Sequence, residues 1–516
     1  MNKLMDKYKR TSFNLILQLS SFLISVVANL IITPMIVNQI GKELYGYVDL
    51  ANTFTNYITI FTAAFNTMLG RYVAISFHKN NLSSANKYYT SITILNIIFS
   101  FILIIPMVIL VIFLDYVIVI PELYITDIKI LFLLIFISFL INISFSSFDV
   151  STFVKNRMDL NATKSILSTA IKFIIFAILM MMFSPSVWFI GVGIIISTLL
   201  CSYFAYICKQ KLTSELKVKS DSFSMDAASE IFKIGIWNSI SQLNQILLNG
   251  LDLLITNQFL GVLHMSILSL SKIVPMQLNG LVSLVSNTFN PQLVKSYSEN
   301  FEEFISDLKF SIKASGFLCS IPLIGFCVFG EAFYELWLTD MNAGEISTIQ
   351  ICSILSLLSA LFSVYIYPLY NTFSITCKLK WPVITTFLLG ISNLIIVLLL
   401  LNYTDLSIYA VAGTSSILSI IRISTFVPLY SSYILKRPFL EFYFPLTRGI
   451  VSSIITILVY YCISKLILIN SWTLLIIVAI LCGFIGYLIN LLVLFNKEEK
   501  RKIIQIIFNR KGNDNV

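Results

Sequence analysis

The chain has 516 residues, of which 57% are apolar and only 12% charged, and its 35 Lys and Arg against 26 Asp and Glu leave a net charge of +9. Average proteins carry about a quarter charged residues, so this chain has too little charge to cover a water-soluble surface, which excludes a soluble enzyme, a disordered chain and a nucleic-acid-binding domain. A bilayer-spanning helix needs about 20 mostly apolar residues, and the composition points to an all-α polytopic membrane protein.

Lys3, Lys7, Lys9 and Arg10 precede an apolar run with no small-residue cleavage site. That run reads as a first span and not as a cleavable signal. Apolar runs bounded by charge, Pro or Gly then place fourteen spans, at 13–38, 45–70, 88–114, 128–148, 161–183, 187–208, 232–256, 262–290, 308–331, 346–371, 381–401, 408–432, 445–469 and 472–494. Of the 35 basic residues, 29 fall in the two termini and the even-numbered connections, whereas the odd connections hold only Lys42, Lys129 and Lys465. The odd connections are acidic, with Glu43, Asp115, Glu122, Asp127, Glu331, Glu335, Asp340, Glu345 and Asp405. By the positive-inside rule both termini and the even connections are cytoplasmic. The longest connection, 209–231, leaves no room for an extramembrane catalytic domain.

A shift of 220 residues lays the second half on the first. Asn29 meets Asn249, Gly41 meets Gly261, and Asn66–Phe77 lies over Ser286–Tyr297; with a four-residue slip Ile105-Pro106 meets Ile321-Pro322. Spans 1–6 and 7–12 therefore form a parallel-topology repeat of the kind found in alternating-access transporters. The expected organisation is an N-lobe over 1–208, a cytoplasmic linker over 209–231, a C-lobe over 232–432, spans 13 and 14 over 433–496, and a basic cytoplasmic tail over 497–516.

Four repeat-related spans carry polar faces. In span 7, Asn238, Gln242, Gln245, Asn249 and Asp252 recur at helical spacing. Span 1 has Asn14, Gln18, Ser21, Ser25 and Asn29; span 2 has Asp49, Asn52 or Thr53, Asn56, Thr59 and Asn66; span 8 has Lys272, Asn279, Ser283, Ser286 and Asn290. Such residues either bond across helices as packing contacts or line a water-filled cavity, where amides and hydroxyls that both donate and accept suit a sugar chain. Lys172, Lys272 and Arg422 lie inside spans, as do Asp49 and Asp252. Each would cost roughly 2.5–3.5 kcal/mol if it faced lipid, so they are expected to face one another or a cavity. The three cations are candidates for binding a phosphate or pyrophosphate group, and the two acids for ion coupling.

No Walker A, dinucleotide, HExxH or zinc-type motif is present, which leaves no cofactor, metal or catalytic assignment. The eight cysteines lie in or beside apolar stretches and read as small buried hydrophobes.

The chain resembles the polysaccharide-transporter branch of the multidrug/oligosaccharidyl-lipid/polysaccharide (MOP) exporter superfamily, the O-antigen flippase (Wzx) type. The resemblance rests on the fourteen spans, on Asn14–Gly46 ending in Val-Asn-Gln-Ile-Gly-Lys-Glu-Leu-Tyr-Gly, on Leu69-Gly70-Arg71-Tyr72, on Phe289-Asn290-Pro291-Gln292-Leu293, and on the Ile-Pro pairs. It implies two six-helix bundles in a V around a central cavity, a bacterial inner-membrane location, and movement of an undecaprenyl-pyrophosphate-linked oligosaccharide between leaflets. It also implies membrane lipids, a polysaccharide polymerase and a chain-length regulator as partners, and no nucleic acid. In the related lipid II flippases the last two helices form a groove for the lipid tail, which spans 13 and 14 are expected to match. Those flippases carry an N-lobe arginine cluster. Spans 1 and 2 here have no arginine before Arg71, which places the chain with the O-antigen or capsule group. A multidrug exporter of the same superfamily, an O-antigen polymerase and a membrane scaffold stay open as alternatives.

Overall fold

The computed structural model describes residues 2–496, apart from 156 and 377, together with 499 and 500. Most of the expected tail over 497–516 thus lies outside the described residues, as does Cys377. The described residues form helices joined by short turns and loops, without a strand.

Every expected span is a helix. Spans 1–6 are Asn2–Ile40, Lys42–His78, Leu82–Ile112, Ile125–Phe145, Met158–Met182 and Trp188–Leu212. Span 7 runs as Met225–Gln245, then a π-helical turn Ile246–Gly250, then Asp252–Leu260. Spans 8–11 are Val262–Thr288, Phe301–Trp337, Ala343–Ser363 and Lys380–Tyr403. Span 12 is Ile408–Ser424 continued by Phe426–Ile434, and spans 13 and 14 are Tyr443–Leu466 and Trp472–Leu494. Among the described residues twelve helices are both long and apolar enough to cross a membrane. Spans 2 and 7 are outside that set, and both carry long polar faces.

The repeat is visible in the helix ends. Span 1 ends at Ile40 and span 7 at Leu260; span 2 begins at Lys42 and span 8 at Val262, in each case 220 residues apart. Spans 4 and 10 are both 21 residues long, and spans 6 and 12 start at Trp188 and Ile408. The glycines between these helices show why the ends coincide. Gly41 has φ 105° and Gly261 φ 85°, and a Cβ at either would meet nothing within 4 Å. Backbone conformation, not space, demands glycine there, since such angles cost other residues roughly 1–3 kcal/mol. Asn81 and Asn300 cap spans 3 and 9 by accepting from Ser84 N and Glu302 N, both at 3.0 Å.

The chain divides into two compact units, one up to Ser269 and one from Leu270. The division falls inside span 8, not at the 209–231 linker. The reason is that span 7 packs lengthwise on span 2, with Ser239 Oγ donating to Ile60 O at 2.5 Å and Tyr57 OH to Gly250 O at 2.8 Å. The linker itself is docked on span 3. Lys217 N donates to Asn86 Oδ1 at 2.8 Å, Tyr88 OH to Glu230 Oε2 at 2.8 Å, and Leu216 is fully buried. In the second unit span 10 packs on span 12, and span 9 on spans 13 and 14. Asn490, fully buried, ties that three-helix junction: it donates to Ser320 Oγ of span 9 at 2.9 Å and accepts from Ser452 Oγ of span 13 at 2.7 Å. On the acidic side Lys129, one of only three basic residues there, lies 2.5 Å from Asp115, and its hydrogen bond holds the Asp115 carboxyl below the usual carboxylate range.

Candidate functional site

The first unit encloses a polar cavity of about 380 Å³ between spans 1, 4, 5 and 6. Span 1 contributes Ser25 and Asn29; span 4 and its end contribute Asn142, Ser146 and Asp149; span 5 contributes Lys164, Ser165, Ser168, Thr169 and Lys172; span 6 contributes Thr198 and Ser202. Close approach of spans 5 and 6 depends on Gly193, where a Cβ would lie 3.0 Å from the Lys172 carbonyl oxygen. Asp149 is the last residue of a single 3-10 turn, Ser146–Asp149, that ends span 4 and turns the carboxylate into the cavity. Lys164 Nζ lies 2.6 Å from both its oxygens. Lys172 has no hydrogen-bond or ion-pair partner among the described residues. With two ammonium groups and one carboxylate, the cavity carries one net positive charge.

Arg422 occupies the corresponding place in the second unit. It lies 14 residues into span 12, as Ser202 does into span 6. Its Nη1 donates to Tyr370 OH at 3.1 Å, its Nη2 to Pro382 O at 3.4 Å and its Nε to Thr385 Oγ1 at 3.5 Å. The guanidinium lies over the Tyr370 ring at 5.5 Å and the Phe426 ring at 6.0 Å, both within cation–π reach. Tyr370 in turn stands one residue after Leu369, the position that the 220-residue shift lays on Asp149. Each repeat thus places a cation among the same three spans, held by a carboxylate in one unit and by neutral partners in the other.

The polar stripes present mostly exposed faces. Asn29, Asn56, Gln242, Gln245, Asn249 and Asn279 are exposed, and Asn238 is half-buried. An amide on a membrane-length helix that faced hydrocarbon would lose its hydrogen bonds at a cost of several kcal/mol. Asp252 leaves the stripe: the π turn at Ile246–Gly250 rotates it inward, where it is 3% exposed. Such turns recur at functional positions in helices. Asp49 accepts a hydrogen bond from Ser269 Oγ. Ser266 Oγ donates to Glu43 O at 2.8 Å beside Gly46, where a Cβ would lie 2.7 Å from that hydroxyl. Lys272 is half-buried on span 8.

A second, apolar groove of about 410 Å³ lies in the second unit, lined by Ile321, Phe326, Phe329 and Phe333 of span 9, Tyr460 of span 13, and Leu475, Ala479, Gly483 and Tyr487 of span 14. Spans 13 and 14 supply only part of this wall; span 9 supplies the rest.

The structure groups Lys172 with Asn29 in one cavity and gives Lys272 and Arg422 separate surroundings. Asp149 and Lys164 also line this cavity; the sequence pattern counted Lys164 with a cytoplasmic connection and did not single out Asp149. The usable signal was the spacing Lys164, Ser168, Lys172 on one helix face. No group of three or more His, Cys, Asp or Glu among the described residues could hold a metal ion.

A family model for polysaccharide biosynthesis proteins matches residues 11–288, more than half of the chain. Over 513 residues the chain is 23% identical to the uncharacterized membrane protein EpsK of Bacillus subtilis (strain 168), covering 98% of this chain and 99% of that protein. Among solved structures it is similar to the lipid II flippase MurJ in an inward closed conformation, with a TM-score of 0.65, 16% identity, and 95% and 99% of the two chains covered. It is also similar to an inward-facing multidrug resistance MATE family transporter of the MOP superfamily, with a TM-score of 0.62, 15% identity, and 82% and 99% covered. A MOP superfamily transporter from Pyrococcus furiosus, reported with a binding pocket of reverse polarity, gives a TM-score of 0.61 at 15% identity, with 83% and 95% covered. At these identities the likeness to the solved structures concerns the fold.

Proposed function

The chain belongs to the polysaccharide biosynthesis protein family, and on that premise we propose that it is a flippase for a diphosphate-linked lipid oligosaccharide. Its cargo is an undecaprenyl-pyrophosphate-linked O-antigen or capsule repeat unit, moved from the cytoplasmic to the periplasmic leaflet of a bacterial inner membrane by alternating access. The observation that carries this reading is the uncompensated Lys172 in a hydroxyl-lined cavity within a membrane-spanning unit. A cation there costs free energy unless an anion joins it, and a diphosphate is the anion of such a lipid. Lys272 and Arg422 add charge along the path, and the exposed Asn and Gln faces hydrogen-bond the glycan. The polyprenyl tail stays in the bilayer against the apolar groove of spans 9, 13 and 14. Transport itself makes and breaks no covalent bond, so the two lobes need only exchange inward-open for outward-open states. Asp252 or Asp49 couples that exchange to an ion. A polymerase and a chain-length regulator receive the product.

Deleting the gene and analysing surface polysaccharide tests the reading. Loss of glycan with lipid-linked units trapped on the cytoplasmic side supports it. Normal glycan with drug hypersensitivity overturns it in favour of a multidrug exporter. Orientation has its own check, in a cysteine-free background. A cysteine at the exposed Asp340 is expected to react with an impermeant maleimide from outside, and one at the exposed Lys217 only after permeabilisation. The reverse pattern would invert the topology.

A further inference from the structure

The cavity of the first unit holds two lysines in different electrostatic states on one helix face. Lys164, Ser168 and Lys172 follow one another at intervals of four on span 5 and all line the cavity, so they share a face. Eight residues of helix separate the two lysines by roughly 12 Å along the axis. Lys172 is open to the cavity. Lys164 is covered by Asp149, whose two oxygens each accept from the ammonium at 2.6 Å. That is how two oxygens of one phosphate would sit. The Asp149 side chain is 38% exposed, so it can turn into water without desolvation loss. In the second repeat the 220-residue shift lays Leu369 on Asp149, and no carboxylate pairs with Arg422 among the described residues. The exchangeable carboxylate is therefore peculiar to the first unit.

We propose that Asp149 is a placeholder for one end of a diphosphate, released from Lys164 when the other end has bound Lys172. This deepens the flippase reading and rests on it only for the identity of the diphosphate as a lipid headgroup. Two cations two helical turns apart match an anion with charge at both ends better than a monophosphate. Ser165, Ser168 and Thr169 between them donate to the bridging region. The exchange trades one ion pair for another, so the site is selective without holding its ligand too tightly to release it. In the empty state Asp149 keeps Lys164 from being a second unpaired charge in the membrane.

The test is titration of the purified full chain with inorganic pyrophosphate, and with inorganic phosphate for comparison. Pyrophosphate is expected to bind more tightly than phosphate. K172A is expected to weaken pyrophosphate binding about tenfold or more, since it removes a charge-assisted contact. D149N is expected to act in the opposite direction, tightening it on the order of tenfold, because the competitor is gone while Lys164 remains. In a K164A background D149N should then have no effect on affinity. D149S serves as the second variant should D149N not purify as a folded protein, and D149E should restore wild-type binding. Unchanged or weaker binding in folded D149N and D149S overturns the proposal. The two readings fail separately. If wild-type protein in liposomes does not translocate a diphosphate-linked lipid saccharide while the opposed binding effects persist, the flippase reading falls and the placeholder stands. If translocation needs Lys172 but D149N leaves affinity unchanged, the placeholder falls and the flippase reading stands.

Discussion

Replacing Arg422 with alanine is expected to abolish surface glycan while leaving the protein in the membrane at its normal level. The guanidinium is aimed by three neutral acceptors, Tyr370 OH, Pro382 O and Thr385 Oγ1, and by the faces of Tyr370 and Phe426. None of these neutralises it. On the proposed function this preorganised charge meets the anionic cargo, and interactions of this kind act most strongly where water is excluded. The lost hydrogen bonds cost the fold only about 1–3 kcal/mol, and they lie at a half-buried position, so insertion survives. Arg422→Lys keeps the charge and loses the planar fork, and partial display is expected. Lys272→Ala should share the phenotype of Arg422→Ala. Quantitative blotting of surface glycan beside the membrane-fraction level of the protein decides the matter. Normal display in both alanine variants would sink the cationic path.

Two glycines three residues apart on span 14 should give opposite failures. A Cβ at Gly483 meets nothing within 4 Å and points into the apolar groove. Gly483→Leu should fold, since leaving glycine gains up to about 1 kcal/mol of helix propensity, yet fill the groove and stop transport. A Cβ at Gly486 would collide with the Tyr460 hydroxyl and lie 2.8 Å from Ile321 Cδ1. Tyr460 is buried there, donating to Cys482 O at 2.5 Å. Gly486→Leu forces apart spans 9, 13 and 14, and overpacking of this sort costs 1–3 kcal/mol or more, so loss of folded protein is expected. Melting temperature in detergent separates the two variants. Normal transport by folded Gly483→Leu would show that the groove does not hold the lipid tail.

The fold was largely legible in the sequence. All fourteen spans were visible because hydrocarbon demands continuous apolar runs and satisfied backbone, which only helices of set length supply. The repeat was legible through Gly41 and Gly261, because an angle open only to glycine leaves a mark in composition. The site was legible in part. The exposed face of Gln242, Gln245 and Asn249 followed from helical spacing, but Asp252 did not stay on it. The π turn that rotates it depends on how span 7 seats against span 2. Lys172 stood out as a charge inside a span, whereas Lys164, near a span end, read as ordinary cytoplasmic charge, and Asp149 carried no signal at all.

Residues next to each other in the chain, or a fixed period apart, obey local rules: helix pitch, apolar length, the side on which basic residues stay. Those rules determined the class, the span count and the repeat of this protein. Which side chains meet across helices depends on packing among segments hundreds of residues apart, and no local pattern encodes it. Only the tertiary structure could show that Asp149 closes on Lys164 and leaves Lys172 open, that Arg422 rests on Tyr370, and that span 9 completes the groove of spans 13 and 14.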